Sequence, residues 1–232
     1  MSTALTTIAF DADDTLWHNE RFFKLTQARF TDLLADHTDA TNLSDRLLAA
    51  EKKNLGHYGF GIKGFVLSMI ETSIDVTDEQ VPASVISELL KTGQDMLRHP
   101  IDLLPFAEEA VRDAARNHTV LLITKGDLLD QERKLAQSGL GDLFDGVEIV
   151  SNKTSDVYQR IFAPGGGPER AMMVGNSMRS DIVPVTQIGG YGVYVPHNLE
   201  WDLEKADPPQ NCPRFFEIPS LESLPKLIAE LG

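Results

Sequence analysis

Three carboxylates and a hydroxyl crowd one short stretch of this chain: Asp11, Asp13, Asp14 and Thr15, directly after the apolar run Thr7-Ile8-Ala9-Phe10. That run is rich in β-formers and too short for a helix, so it reads as a buried strand. Acids at the end of a buried strand are costly, because each resists leaving water and each repels its neighbours. Open α/β sheets bind their ligands at the carboxyl ends of their strands. Asp-x-Asp-x-Thr in that place points to a phosphate or metal site.

Later apolar runs end in equally suggestive groups. Thr119 to Ile123 leads into Thr124, Lys125 and Gly126; Val147 to Val150 is followed by Lys153; Ala171 to Val174 ends in Gly175, Asn176 and Ser177, with Asp181 beyond. Each has a bland reading when taken singly. Thr124 would be a strand-end cap, Lys153 a solvated lysine, Gly175-Asn176-Ser177 a turn before a helix, and Lys125 a solvent-facing residue rather than a second phosphate cation. In a parallel sheet all of these strand ends lie at one edge, so topology predicts that the set converges.

The chemistry that needs these types is phosphoryl transfer. Phosphomonoesters are among the slowest compounds to hydrolyse. A carboxylate nucleophile, Asp11, splits the reaction into two steps through an aspartyl-phosphate. A cation must screen its approach to an anionic phosphate, and Mg²⁺, which prefers hard oxygens, suits that task. Asp11 and a second oxygen ligand from Asn176 or Asp181 would hold it. Asp13 is placed to give the leaving oxygen a proton and later to take one from water. Thr124 would hold a phosphoryl oxygen, and Lys153 would meet the charge on the others.

Positioning these groups requires alternating elements. From Pro105 onward helical stretches alternate with buried strands at Thr119 to Ile123, Val147 to Val150, Ala171 to Val174 and Tyr191 to Val195, with Phe216 to Ile218 a possible edge strand. This is the grammar of an α/β, Rossmann-like parallel sheet covered on both faces. Residues 17–99 read differently, as four helical stripes with no convincing strand. Asn42 or Ser44 and Asp78 are their expected N-caps. The chain thus divides into an α/β core, 1–16 with 100–232, and an inserted α-helical subdomain, 17–99. Within the insert, NLGHYGFGIKGF, with four glycines, is expected to be a loop that folds over the site. Lys63, with His57 and Tyr58, is its candidate contact to the leaving group.

Composition narrows the partners. The 232 residues carry a formal net charge of −14, which repels nucleic acid and anionic membrane. No run approaches a membrane helix, and the start lacks the features of a signal peptide. The single cysteine, Cys212, has no internal partner, which suits a reducing compartment, so a cytoplasmic location is expected.

With DADDT, LLITKG, Lys153 and VGNSMRSDI in that order, the sequence resembles the haloacid dehalogenase-like hydrolase superfamily over essentially its whole length. It is most similar to the phosphatase-like branch, in which the first motif carries a second Asp. The dehalogenases proper lack it, so the resemblance argues against carbon–halogen chemistry. It implies a core with an inserted helical cap, Asp11 as nucleophile, Asp13 as general acid/base with its main-chain carbonyl on Mg²⁺, and Thr124 and Lys153 in the second- and third-motif roles. The family commonly has Asp where this chain has Asn176, which shifts some of the expected metal binding to Asp181. Lys125, Gly126 and Lys63 are further candidates for substrate contact. The expected function is hydrolysis of a small phosphorylated metabolite, such as phosphoglycolate, a sugar phosphate, a nucleoside monophosphate or flavin mononucleotide. A phosphomutase or phosphotransferase on the same fold is the alternative. A phospho-accepting receiver module fits less well, since it would place its acidic pair and its acceptor on different strands.

Overall fold

The structure, a computed structural model, describes residues 4–231. It divides into two compact units: residues up to Glu20 with Ile101–Lys125 and the chain from Gln131, and Arg21–Pro100 with Gly126–Asp130. Residues 126–130, assigned to the α/β core by sequence, therefore group with the helical unit.

The α/β unit is built on six parallel strands: β1 (Thr7–Phe10), β2 (Thr119–Lys125), β3 (Gly146–Val150), β4 (Ala171–Gly175), β5 (Tyr191–Tyr194) and β6 (Phe215–Glu217). Their order across the sheet is β3-β2-β1-β4-β5-β6. Successive strand residues point to opposite faces, and both faces of the central strands are covered. Ile8, Phe10, Val120, Leu122, Met172 and Val174 pack on one side with Val111, Ala114, Leu224 and Ile228. Those partners come from helices α5 (Ala107–Ala114) and α9 (Leu224–Leu231). Ala9, Ile123 and Met173 face the other way, against Tyr158, Phe162 and Val185. These come from α7 (Ser155–Phe162) and α8 (Val183–Gln187). Residues Leu128–Ser138 form α6.

β1 is central, and strand order reverses on its two sides. Phe10 is in register with Leu122 of β2 and with Val174 of β4. The crevice beyond Phe10 is thus the switch point where such sheets bind ligands.

The helical unit contains α1 (Glu20–Leu33), whose first residue belongs to the α/β unit, and α2 (Ala40–Tyr58), α3 (Ile62–Val76) and α4 (Ala83–Arg98). Phe30, Leu34, Leu43, Leu47, Phe65, Met69, Leu89 and Met96 make its core. α3 and α4 approach closely at Gly93, where a Cβ would lie 2.5 Å from Val66 Cγ2. The N-caps differ from expectation. Asp39, not Asn42 or Ser44, caps α2 by accepting the Asn42 N–H. Asp78 sits in a left-handed turn at φ 48°, and α4 starts later, behind Pro82, whose fixed φ suits a helix entry.

The expected glycine loop is mostly helix. α2 runs through Gly56, His57 and Tyr58, and α3 begins at Ile62, so Lys63 and Gly64 lie in its first turn. Only Gly59 and Gly61, at φ 71° and 112°, flank the short connection. Among the described residues no helix is long and apolar enough to cross a membrane.

Candidate active site

After Phe10 the chain makes a tight turn: the Thr15 and Leu16 N–H groups both donate to the Ala12 carbonyl, with Asp14 at φ 60°. Asp is among the few residues that tolerate that conformation. Asp11 is tied to β4 through its N–H on the Val174 carbonyl, and its side chain is buried.

Lys153 reaches Asp11 from the end of β3. It sits between that strand and α7, whose N-cap Thr154 accepts the Val157 N–H. Its ammonium donates to Asp11 Oδ1 at 2.5 Å and to Asp181 Oδ1 at 2.7 Å, with 1% of the side chain exposed. Asp181 has no exposure, and its Oδ2 accepts the Ser177 N–H at 2.9 Å. It lies on a wide π-type turn, Met178–Ile182, that leaves β4. Such turns are frequent at functional sites. Gly175 makes room for it: a Cβ there would lie 2.2 Å from Asp181 Oδ2.

This buried cluster holds two carboxylates and one ammonium. Burial pushes the Asp11 carboxyl up to about 7, with Lys153 pulling it down and Asp181 adding to the rise. Burial alone would lower the Lys153 ammonium, yet Asp11 and Asp181 hold it above its ordinary value. With all three groups ionised the cluster would carry one excess negative charge, and the raised Asp11 carboxyl is the response to it; a further cation would let Asp11 ionise fully.

Asn176 stands beside it. Its side-chain amide places one terminal atom 3.1 Å from the Asp13 main-chain oxygen and 3.2 Å from Asp11 Oδ2. Thr15 Oγ1 is 3.1 Å from that atom and 3.1 Å from Asp11 Oδ2. Oxygen-bearing groups from two strand ends therefore meet at one point. This donor set, hard oxygens around an excess negative charge, fits Mg²⁺.

The Asp13 carboxylate points into a different set of partners. It accepts from Trp17 Nε1 at 2.8 Å, Gln131 Nε2 at 2.9 Å and Lys134 Nζ at 2.9 and 3.0 Å. Lys134 also donates to Asn19 Oδ1. Gln131 and Lys134 share one face of α6, the (i, i+3) spacing that makes helix neighbours. Sequence reasoning missed both, since nothing in an amphipathic helix distinguishes them from surface residues.

Thr124 is buried, two residues past the register partner of Phe10. Lys125 is not solvent-facing, contrary to expectation. Its side chain is 11% exposed and pairs with Glu204 Oε1 and Ser180 Oγ. Burial lowers its ammonium below the ordinary value, with Glu204 opposing. Glu204 also accepts from the Ser177 and Ser180 hydroxyls. Its place at the end of a single 3-10 turn after β5, Asp202–Glu204, gave no sequence signal. A further unforeseen group joins Asp14, His18 and His197, which bring one ligand atom each within 4.8 Å of one another. Asp14 there accepts the Asn19 and Glu20 N–H groups, starting α1.

Lys63 and Gly126 belong to the helical unit. There Lys63 Nζ pairs with Asp127 Oδ2 at 2.9 Å, with 54% of the lysine side chain exposed. His57 and Tyr58 are exposed, and the Tyr58 hydroxyl donates to Glu71.

A family model described as haloacid dehalogenase-like hydrolase matches residues 5–189. No curated protein matches the chain. Among solved structures, a haloacid dehalogenase-like family hydrolase from Xanthomonas campestris is 39% identical, with a TM-score of 0.88 over 98% of this chain and 92% of that one. The putative hydrolase YfnB from Bacillus subtilis, bound to magnesium, is 17% identical at a TM-score of 0.66, over 97% of this chain and 99% of its own. The L-2-haloacid dehalogenase from Xanthobacter autotrophicus, with chloropropionic acid covalently bound, is 16% identical at 0.63, over 98% and 100%. The last two speak to fold alone.

Proposed function

The chain belongs to the haloacid dehalogenase-like hydrolase family, and on that premise we propose that it is a Mg²⁺-dependent phosphatase acting on a small phosphorylated metabolite through an aspartyl-phosphate. The observation that carries this reading is the meeting of Asp11 Oδ2, the Asp13 main-chain oxygen and the Asn176 amide beside the buried Asp11–Lys153–Asp181 cluster. A carboxylate attacking a neutral carbon–halogen bond has no need of a cation-binding oxygen set. A carboxylate attacking a phosphate does.

Asp11 is the nucleophile, held in line by Lys153. Asp11, the Asp13 carbonyl and Asn176 would hold the metal. Asp181 has both oxygens engaged, by Lys153 and the Ser177 N–H, so it serves by anchoring the lysine. Bound Mg²⁺ supplies charge screening between nucleophile and phosphate. Thr124 and Lys153 receive phosphoryl oxygens as charge develops. Lys125 follows Thr124 at the same strand end. Asp13 must first release one of its present partners, Lys134, Gln131 or Trp17, and take up a proton from solvent; it then gives that proton to the leaving oxygen and recovers one from the water that hydrolyses the aspartyl-phosphate.

That role gives Asp13→Asn a distinctive signature. Hydrolysis of an alkyl phosphate, whose leaving alkoxide needs a proton, is expected to fall by on the order of 10²–10³-fold. p-Nitrophenyl phosphate, with a stable leaving anion, should lose far less. Steady-state rates on the two substrates check this, and equal losses would confine Asp13 to the metal position.

The test of the function is a panel of phosphomonoesters, with Mg²⁺ or EDTA, alongside 2-chloropropionate. Phosphate release that EDTA abolishes, with no chloride release, is the expected result. Comparing phosphate released with substrate consumed separates a hydrolase from a mutase or transferase. Chloride release without phosphatase turnover would establish the dehalogenase reading that the similar folds keep in view.

A further inference from the structure

The terminal atom of the Asn176 amide that faces Asp11 and Asp13 has only oxygens around it: the Asp13 carbonyl, Asp11 Oδ2 and Thr15 Oγ1. The first has no proton to give, nor has the second when ionised. The Thr15 hydroxyl has one proton, and it can go to Asp11 Oδ2 or to Asn176, not to both. Thr15 also accepts the Asn176 main-chain N–H at 3.1 Å, and an ionised Asp11 Oδ2 at 3.1 Å is the stronger acceptor for its one proton. Without a cation, an amide oxygen in that position meets lone pairs on the Asp13 carbonyl and Asp11 Oδ2 and has only the Thr15 hydroxyl proton, for which Asp11 Oδ2 competes. An amide nitrogen there offers its two protons to three acceptors, so the nitrogen-inward orientation satisfies the cluster.

With a cation the preference inverts. Oxygens bound side by side on six-coordinate Mg²⁺, at bonds of about 2.0–2.1 Å, stand about 3 Å apart. The separations of 3.1 and 3.2 Å at Asn176 match that spacing as closely as they match hydrogen bonds. Resting on the Mg²⁺-dependent reading above, we propose that Asn176 is a two-position ligand. Its amide nitrogen stands in for the metal by bridging Asp11 and Asp13 in the metal-free protein, and a half-turn of the amide presents its oxygen when the ion binds. An aspartate at 176 cannot take the first position, since it would set a third carboxylate against Asp11 and the Asp13 carbonyl. It would take the second position better. The asparagine therefore gives up metal affinity and keeps the metal-free site assembled, so half-occupancy is reached at a higher free Mg²⁺ than an aspartate would need.

Binding and stability, read without turnover, test this. Full-length wild type, Asn176→Asp and Asn176→Ala are titrated with Mn²⁺ by the loss of its free-ion paramagnetic resonance signal, and melted in EDTA and in excess Mg²⁺. Asn176→Asp should bind Mn²⁺ roughly tenfold tighter or more, the equivalent of one charged hydrogen bond exchanged. Its Tm in EDTA should fall by about 3 °C or more, with a larger rise on adding Mg²⁺ than in wild type. Asn176→Ala, which offers neither atom, should bind Mn²⁺ more weakly and also melt lower in EDTA. If Asn176→Asp folds only with metal, the proposal is supported. If it does not fold at all, Asn176→Ala decides: a wild-type Tm in EDTA overturns the stand-in role. Unchanged Mn²⁺ affinity or an unchanged EDTA melt in Asn176→Asp overturns the proposal while metal dependence stands. A wild type that binds no Mn²⁺ would remove both readings together.

Discussion

Asp11→Asn is expected to lose phosphatase turnover by on the order of 10³-fold or more while keeping its fold. An amide of the same shape cannot form the acyl-phosphate, so the loss falls on kcat and not on KM alone. The fold should survive because the native site already carries one carboxylate too many. Burial pushes the Asp11 carboxyl up to about 7, so a neutral side chain there removes a strained charge and leaves Lys153 paired with Asp181. Thermal melts in EDTA should show the Asp11→Asn variant at least as stable as wild type. Residual turnover above a few per cent in pure protein would take the nucleophilic role away from Asp11.

The second large effect is on stability. Lys153→Met removes the ammonium that joins Asp11 to Asp181 and leaves two buried carboxylates facing a thioether. Breaking a buried pair by deleting one partner costs about 3–5 kcal/mol. In a chain of this size that corresponds to a fall in Tm on the order of 10 °C. The deficit should depend on pH in a defined direction. Without the lysine, the pull that lowers Asp11 is gone, so its native carboxyl holds a proton to still higher pH than in wild type. The unfolded chain releases that proton near the ordinary carboxylate range. Native protein then binds more protons than unfolded across that window, and stability falls as pH rises through it. Melts in EDTA should therefore show the variant's deficit largest near pH 8 and smaller near pH 5. A deficit that is flat with pH would mean lost packing, not unpaired charge. Activity should be lost at both ends of the range.

Much of the fold was legible because the strands are short, apolar and bounded by polar groups. Thr7 to Phe10 has one reading, and once β1 is central the parallel register follows from the alternation of helices and strands. The nucleophile candidate and its lysine were legible for the same reason, since strand ends in a parallel sheet share an edge. What escaped were pairings that only the folded chain brings together. Lys134 meets Asp13 across 121 residues, and Lys125 meets Glu204 across 79. A lysine at a strand end looks like a solvated residue, and burial of Lys125 depends on a segment with no regular pattern of its own. The glycine-rich stretch misled in the opposite way. Gly56 and Gly64 are tolerated inside helices, because tertiary packing of α2 against α3 overrides their weak propensity. Cap choice failed on a similar scale: several residues able to cap lie close to Asp39, and composition does not rank them.

The central claim is that Asp11 becomes phosphorylated, and trapping the intermediate tests it most directly. Enzyme turning over an active phosphomonoester with Mg²⁺ is quenched into borohydride, which reduces an acyl-phosphate to an alcohol, and the peptide containing residue 11 is read by mass spectrometry. Conversion of Asp11 to homoserine, dependent on substrate and absent from the Asp11→Asn variant, is the predicted result. Continued phosphate release with Asp11 unmodified at every quench time would contradict the account.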